Sequence, residues 1–374
     1  MTASGGDGVA RLTLLDALAY GPQRWDGLAA SLRVPSPFMR WAWHHAWAQS
    51  APSAELQASF AVILHGPEGC LRGLLPLTIR PMQLRRARVR ALTWAIGGLG
   101  CPDHLDIPTA PEAELQAAIP LLEALPWDVI VLSAVSEEPT NLAQLTEAFA
   151  RRGYAVRRTP LDACPYVDLP SSWEEYLASL SPTRRQTIRR KERKLMRDYT
   201  VTVTDYAPDR LDEGWRRLCS LHEARWTGAG ALGDPRLRDL LRRFSAELAA
   251  RGELWLTTLD LDGEPAAAWH GFAWGDTVYF YQGGRDLQRA SESVGLVLMG
   301  AMIRRAIDRG YRRFDFLRGR DAYKLSWAST ERAIYEVLIF RPGWRGAWLR
   351  GLDLAGRVRA RIRSRPEFAS SSEE

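Results

Sequence analysis

The sequence predicts a mixed α/β protein of the α+β kind, made of two tandem lobes that repeat one plan. Three observations carry that expectation. Segments 60–94 and 254–282 each read as three strands joined by short turns. Each meander is followed by a helical stretch and then a short apolar strand, at 128–132 in the first half and 313–317 in the second. Trp127-Asp128 sits in the first half where Phe314-Asp315 sits in the second. The pattern is that of a duplicated unit, each copy a mostly antiparallel mixed sheet flanked by helices. The expected division is a first lobe over 1–160, a second over 161–342 and a basic amphipathic tail over 343–374.

The opening residues form a loose tail leading into a short strand, and 23–50 is helical, carrying Phe38, Trp41, Trp43 and Trp47. Strands at 60–64 and 71–79 flank the turn Gly66-Pro67-Glu68-Gly69, and a third at 89–94 precedes the loop Gly97-Gly98-Leu99-Gly100. A helix over 112–125 leads to 128–132, whose unbroken apolar run suits a strand buried on both faces. A helix at 141–152 and a strand at 154–158 close this half. In the second half, Ser171 or Ser172 caps a helix with Glu174 and Glu175 in its first turn. Pro182 opens a basic helix whose apolar positions Ile188, Leu195 and Tyr199 share one face.

Helices over 211–226 and 235–251 precede strands at 254–261, 266–274 and 278–282, linked by the hairpin signals Asp262-Gly263 and Gly275-Asp276. Helix 291–309 ends at Gly310, strand 313–317 comes after it, and 334–340 is the last strand. In the tail, Trp348, Leu352, Ala355, Val358 and Ile362 fall at helical spacing among arginines. That pattern fits either docking on the protein itself or a helix lying on an anionic membrane surface.

With 374 residues, 46% of them hydrophobic, the chain can bury a large core. Its four separated cysteines (Cys70, Cys101, Cys164, Cys219) make neither a zinc ribbon nor a disulfide framework, and no metal is expected. With no signal-peptide pattern and no long uncharged run, the expectation is a cytoplasmic protein, peripheral at the inner membrane face if the tail binds lipid. Within 184–197 stand eight basic residues and one acid, a local excess larger than the whole chain's net charge of +6. That concentration suits anionic partners: a phosphate-bearing cofactor, a nucleic acid or a lipid surface.

The stretch 304–327 is the richest in candidate site residues. Alternation in Phe314-Asp315-Phe316-Leu317 points Asp315 away from the two rings. Gly319 supplies a turn, and Tyr323 and Lys324 come just past the strand end, where ligands collect in α/β sheets. Asp315 can take or orient a proton from an attacking amine, or it can be structural. Tyr323 can donate to a leaving group or line a pocket, and Lys324 can hold a phosphate or offset developing negative charge. His222, in Leu221-His222-Glu223-Ala224-Arg225-Trp226, is a candidate base sharing a helix face with Arg225; a packed histidine fits equally.

These residues carry a family likeness. Three antiparallel strands, a loop entering a helix and another strand resemble the core order of the GCN5-related N-acetyltransferase (GNAT) fold. The motifs Ser291-Glu292-Ser293-Val294-Gly295, Phe314-Asp315-Phe316, and Gly319 followed by Tyr323-Lys324 resemble the CelD/BcsL-like acetyltransferases associated with cellulose and exopolysaccharide synthesis. That family is related to the FemABX peptidyltransferases, which carry two such units per chain. The run 221–226, the turn Asp262-Gly263-Glu264-Pro265-Ala266-Ala267 and the basic segment 184–190 agree with it. The resemblance covers 160–330 by motif and the first half by architecture only. It departs at 293–295, which read Ser-Val-Gly in place of Ser-Pro-Gly, and in a pyrophosphate loop reduced to Gly295.

The resemblance implies an acyl-CoA-dependent N-acyltransferase acting on an amine, with acetyl-CoA the first donor to consider and a glycan precursor the acceptor. Ser291, Ser293 and Gly295, at a helix start, would hold the cofactor pyrophosphate, and Gln282 would bond the acyl carbonyl. Arg185, Arg189, Arg225, Trp226 and Gly319 would contact the substrates. Direct attack in a ternary complex needs no metal. Two alternatives stand beside this reading: an enzyme that takes its acyl group from aminoacyl-tRNA, and a non-catalytic binding or assembly protein of an exopolysaccharide system.

Overall fold

The computed structural model describes residues 8–111, 113–137, 139–226 and 230–363, the side chains of 225, 226 and 357–363 excepted. The first half folds as β1 (Gly8–Thr13), α1 (Leu14–Leu18), α2 (Gly21–Ala30), α3 (Trp41–Ser50) and α4 (Ser53–Ala58). Next comes the meander β2 (Ser59–His65), β3 (Leu71–Leu84) and β4 (Ala87–Trp94). The apolar run Phe60-Ala61-Val62-Ile63-Leu64 makes β2 a strand buried on both faces. After α5 (Ile119–Ala124), β5 (Val129–Val135) returns parallel to β4, Leu92 opposite Ile130. α6 (Asn141–Arg151) then leads into β6 (Ala155–Asp168).

The second half opens with α7 (Trp173–Ser179), capped by Ser172, and α8 (Pro182–Asp198), capped by Ser181 with Pro182 at its first turn. Ile188 and Leu195 bury the inner face of α8 and leave its arginines and lysines outside. β7 (Val201–Asp205), α9 (Leu211–Trp226) and α10 (Pro235–Ala249) come next. The meander β8 (Leu254–Leu261), β9 (Glu264–Trp274) and β10 (Thr277–Arg285) turns at Asp262 and Gly263, whose φ angles of 53° and 89° are the left-handed pair a tight hairpin needs. α11 (Val294–Asp308) crosses back to β11 (Arg313–Asp315), parallel to β10. α12 (Ala322–Leu325), β12 (Thr330–Phe340) and α13 (Trp344–Arg363) complete the described chain. Each half is therefore three antiparallel strands, a helical crossover and a parallel strand, as the sequence pattern predicts.

All twelve strands join one sheet, in the order β1-β2-β3-β4-β5-β12-β6-β11-β10-β9-β8-β7. Its centre is an exchange. β12, from the end of the second half, pairs with β5 of the first on one edge and with β6 on the other. β6, from the first half, reaches on to pair with β11. The expected boundary at 160 falls inside β6.

Several expectations need correcting. β6 runs ten residues past the expected strand end because Pro160 reads as a breaker. In the structure that proline pairs beside a bulge, Ile334 facing Asp162 and Tyr335 facing Pro160, which absorbs its missing N–H. The helix expected over 112–125 is a 3-10 turn at Leu115–Ala118 followed by the short α5. The correspondence drawn between Trp127-Asp128 and Phe314-Asp315 does not hold in space. Asp128 precedes β5, where it accepts from the Arg90 backbone N–H at 2.8 Å, whereas Asp315 is the last residue of β11. The two carboxylates mark opposite ends of matching strands. In the tail, the buried positions among the described residues are Gly346, Leu349 and Asp353, with Leu352 partly buried, while Trp348 and Ala355 face out. Val358 and Ile362 lie outside the described side chains.

The helices cover the second lobe's sheet unequally. On one face, α3 of the first lobe and α10 of the second share a core with Trp43, Phe244, Phe272 and Tyr279. On the other, α7, α8 and α11 enclose Trp269, Phe280, Phe314 and Phe316. The first lobe is thereby packed against the same face as α10. Buried Arg40 ties them further, reaching Asp26 at 2.8 Å and Glu253 at 2.5 Å.

Candidate active site

The site grows from a split in the sheet. β10 and β11 pair over only three positions, ending at Tyr279 opposite Asp315. At the next turn of the pleat, β10 carries a bulge: Phe280 faces Gly271 and Gln282 faces His270, leaving Tyr281 as the extra residue. The bulge bends β10 away from the chain that leaves β11. Beyond Tyr279 the inner edge of β10 has no strand partner among the described residues, so its N–H and C=O groups are open to a ligand. Two cavities open into this split, one from each face of the sheet, and share Phe280, Gly283 and Tyr323 as wall.

The larger, about 480 Å³, lies on the α8–α11 face. Trp269, Leu296, Met299 and Trp327 give it an apolar interior, and Arg184 and Arg285 bring cations to it. Arg184 is held over the Trp327 ring, its guanidinium 4.5 Å from the centroid, and burial lowers its pKa. Gly295 lines the cavity at the first turn of α11, where a Cβ would meet nothing closer than the Arg285 side chain at 3.9 Å. Ser293 caps that helix in a left-handed conformation (φ 59°) without a side-chain bond; its carbonyl accepts from the Leu296 N–H at 2.9 Å, which leaves the Val294 and Gly295 N–H groups for a ligand. Free N–H donors, a helix dipole and two arginines around an apolar slot suit a ligand with a phosphate end and an extended apolar end.

The smaller cavity, about 260 Å³, lies where the first lobe meets the second. Cys101 and Asp103 come from the first lobe; Tyr281, Gln282, Arg318 and Lys324 come from the second. Asp103 is buried and clamps Arg318 twice, its carboxylate accepting from Nε at 2.6 Å and from the backbone N–H at 2.9 Å. Burial pushes the Asp103 carboxyl up, against the pull of that guanidinium. Lys324 is 7% exposed; its ammonium donates to the carbonyls of Arg318 and Leu317 and stands 3.9 Å from Asp321. Burial lowers its pKa, and the nearby carboxylates oppose the shift. Gly319, at φ 108°, keeps the turn tight: a Cβ there would lie 3.4 Å from the Lys324 nitrogen.

The predicted site residues divide by place. Tyr323, Lys324, Gln282 and Gly295 line the two cavities, Gln282 on the smaller one and Gly295 on the larger. Asp315 lines neither; it is 1% exposed, accepting from the Leu317 N–H at 2.8 Å and meeting His104 Nε2 at 3.1 Å. The bonds from His104 and Leu317 overcome burial and hold its carboxyl below the usual range. His222 is also buried, behind β10, where α9 comes so close that a Cβ on Gly284 would sit 2.5 Å from the His222 nitrogen of the backbone. Ser291 accepts from Lys191 through its carbonyl, and neither its side chain nor that of Ser293 reaches the cavity wall. Arg185 reaches the Ala178 carbonyl at 3.5 Å and Arg189 pairs with Glu174, both away from the cavities. The side chains of Arg225 and Trp226 lie outside the described residues.

Sequence reasoning passed over Arg285, Trp327, Cys101, Asp103 and Arg318. Arg285 had a signal, since it comes after Gly283-Gly284 at a strand end; the first-lobe residues had none, because only the packing of the lobes brings them here.

A split β10–β11 pair, a helix N-terminus at its mouth and cavities on both faces define a GNAT-fold, acyltransferase-like protein. Residues 182–325 match the family profile described as an acetyltransferase (GNAT) domain. No curated protein matches the chain. Among solved structures, FemX is similar over 85% of this chain and 95% of its own, with a TM-score of 0.58 at 11% identity. The C-terminal domain of a putative lysylphosphatidylglycerol synthetase from Agrobacterium fabrum covers 92% of this chain and 97% of its own (TM-score 0.53, 12% identity). L-PGS from Bacillus licheniformis covers 96% and 99% (TM-score 0.51, 12% identity). At such identities the likeness is one of fold.

Proposed function

We propose that the protein is an acyl-CoA-dependent N-acyltransferase, with the thioester entering from the α8–α11 face and the amine from the interface between the lobes. The observation that carries this reading is Tyr323, which lines both cavities where they meet at the β10–β11 split. Only there can two ligands held on opposite faces of a sheet touch. The α11 N-terminus, Arg184 and Arg285 would hold the cofactor phosphates, and the free edge of β10 would bond its amide-bearing arm. The neutral amine attacks the thioester carbon, the C–S bond breaks, and the departing thiolate takes the Tyr323 proton. The amine's proton leaves to solvent or to Asp321 on the cavity wall. Lys324, with two of its three ammonium protons on carbonyls, has one left for the carbonyl oxygen as it gains charge.

An acceptor bound among Asp103, Arg318 and Lys324 would be polar and compact, which suits an amino sugar or a cell-envelope glycan precursor more than a protein terminus. The test is thermal denaturation with CoA, acetyl-CoA, longer acyl-CoAs and aminoacyl-tRNA in parallel. A ligand at 100 times its dissociation constant stabilises by about 2.7 kcal/mol, a clear rise in melting temperature. Stabilisation by acyl-CoA, lost in Arg184→Ala, is the expected result. A response to aminoacyl-tRNA alone would replace the donor, and no response to any of them would sink the enzyme reading.

A further inference from the structure

We propose that the outer face of α13 seats the protein on an anionic phospholipid surface. Among tryptophans whose side chains are described, only Trp344 and Trp348 are exposed, at 81% and 50%. They stand one turn apart on the same helix, and Leu354, 55% exposed, extends the apolar surface. The opposite face is docked: Leu349 and Leu352 join Val89, Val129 and Phe340 in a small core beneath the sheet. Gly346 lets the helix abut the backbone of Arg341, which fixes its orientation. The tryptophans are thus held outward by packing on the other side.

The sequence of this segment is strongly basic, although Arg345 is paired with Asp128 at 3.3 Å. Between 343 and 365 stand seven arginines and a single acid, Asp353. That acid is 2% exposed, paired with Arg157 and 4.0 Å from Arg85. Arg85 belongs to the β3–β4 hairpin and brings the turn against α13 at Gly356. Arg86 and Arg88 of that hairpin, and Arg350 of the helix, have no ion-pair partner among the described residues. Indole rings prefer the headgroup level of a bilayer, where one side is apolar and the other wet, and unpaired arginines beside them select anionic lipid. A neutral protein partner would leave those cations unanswered.

The test is co-sedimentation of the full chain with phosphatidylcholine vesicles, with and without phosphatidylglycerol. Binding is expected only with phosphatidylglycerol, weakened by added salt. Trp344→Ser/Trp348→Ser should cut it about tenfold or more, since each exposed ring would otherwise bury most of its area. Arg86→Glu/Arg88→Glu should cut it as well, with circular dichroism and the acyl-CoA response unchanged in both variants. Absence of binding, equal binding to pure phosphatidylcholine, or indifference to the tryptophan substitutions would overturn the proposal. So would a dimer in solution that dissociates in the tryptophan variant, because a second copy would then cover the face. Displacement of the vesicles by tRNA at matched ionic strength would assign the face to nucleic acid instead.

Discussion

His104 of the first lobe and Asp315 of the second face each other across the joint between lobes, Nε2 to Oδ2 at 3.1 Å, both out of contact with solvent. The neighbouring Asp103 makes a second link, to Arg318. Adjacent residues of one lobe thus grip two residues of the other, on either side of the chain leaving β11. Asp315 shapes that exit and so aims Arg318 and Lys324 at the smaller cavity.

Asp315→Ala should act through folding. Stranding His104 and the Leu317 N–H in a dry interior should cost about 3–5 kcal/mol, measured by urea denaturation. The double variant with His104→Ala should lose about 1–3 kcal/mol less than the two single losses combined. Turnover per folded molecule should stay within the same order. A collapse of turnover at unchanged stability would return Asp315 to the chemistry.

Lys324→Met and Tyr323→Phe should each lower turnover by about 10²-fold and leave acyl-CoA affinity within about threefold, by steady-state kinetics and titration. The two should separate on donors with an acidic thiol leaving group. There Tyr323→Phe recovers most of its loss and Lys324→Met does not, because the first supplies a proton and the second offsets charge on oxygen.

Gly284→Ala should destabilise the second lobe by more than about 2 kcal/mol. Its added carbon would lie 2.5 Å from the His222 backbone nitrogen and 2.6 Å from the Leu221 carbonyl carbon, where no side chain can yield. Gly98, whose added carbon would meet nothing within 4 Å, is the control; Gly98→Ala should fall within about 0.5 kcal/mol of the parent.

Acid should weaken the fold early. Burial lowers the pKa of His44 to about 4 and of His270 to about 3, so both stay neutral when folded and take up protons on unfolding. The unfolded chain therefore binds more protons below about pH 6.5, and stability falls as pH drops from there toward 4. The loss attributable to His44 approaches about 3 kcal/mol at the foot of that window. His44→Gln should flatten the slope by about one proton, read from denaturation midpoints at successive pH values.

Much of the architecture was legible because it rests on local patterns. Strand-like runs between turn signals marked both meanders, Asp262-Gly263 marked a turn, and Pro182 marked the start of α8. Tyr323 and Lys324 could be picked out as cavity-lining candidates because a glycine turn, an aromatic hydroxyl and an amine stand close together in sequence. What escaped depends on partners far away. β6 hid behind Pro160, which becomes tolerable beside the bulge opposite β12. Asp103 and Cys101 reach the cavity only because the lobes dock, and no spacing rule connects them to Arg318. Arg185 and Arg189 looked equal to Arg184, but the helical turn of α8 aims only Arg184 at the cavity.

The exchange of β12 and β6 at the middle of the sheet also governs how the protein is born. As the chain leaves the ribosome, residues 1–160 can form their meander and β5, but the inner edge of β5 stays bare until about 340 residues have been made. A nascent first lobe is therefore a sheet with an open seam, unable to finish before its successor. The same seam explains why a first half that lends few groups to the cavities cannot be shed: without it, the last strand of the second half loses both of its neighbours.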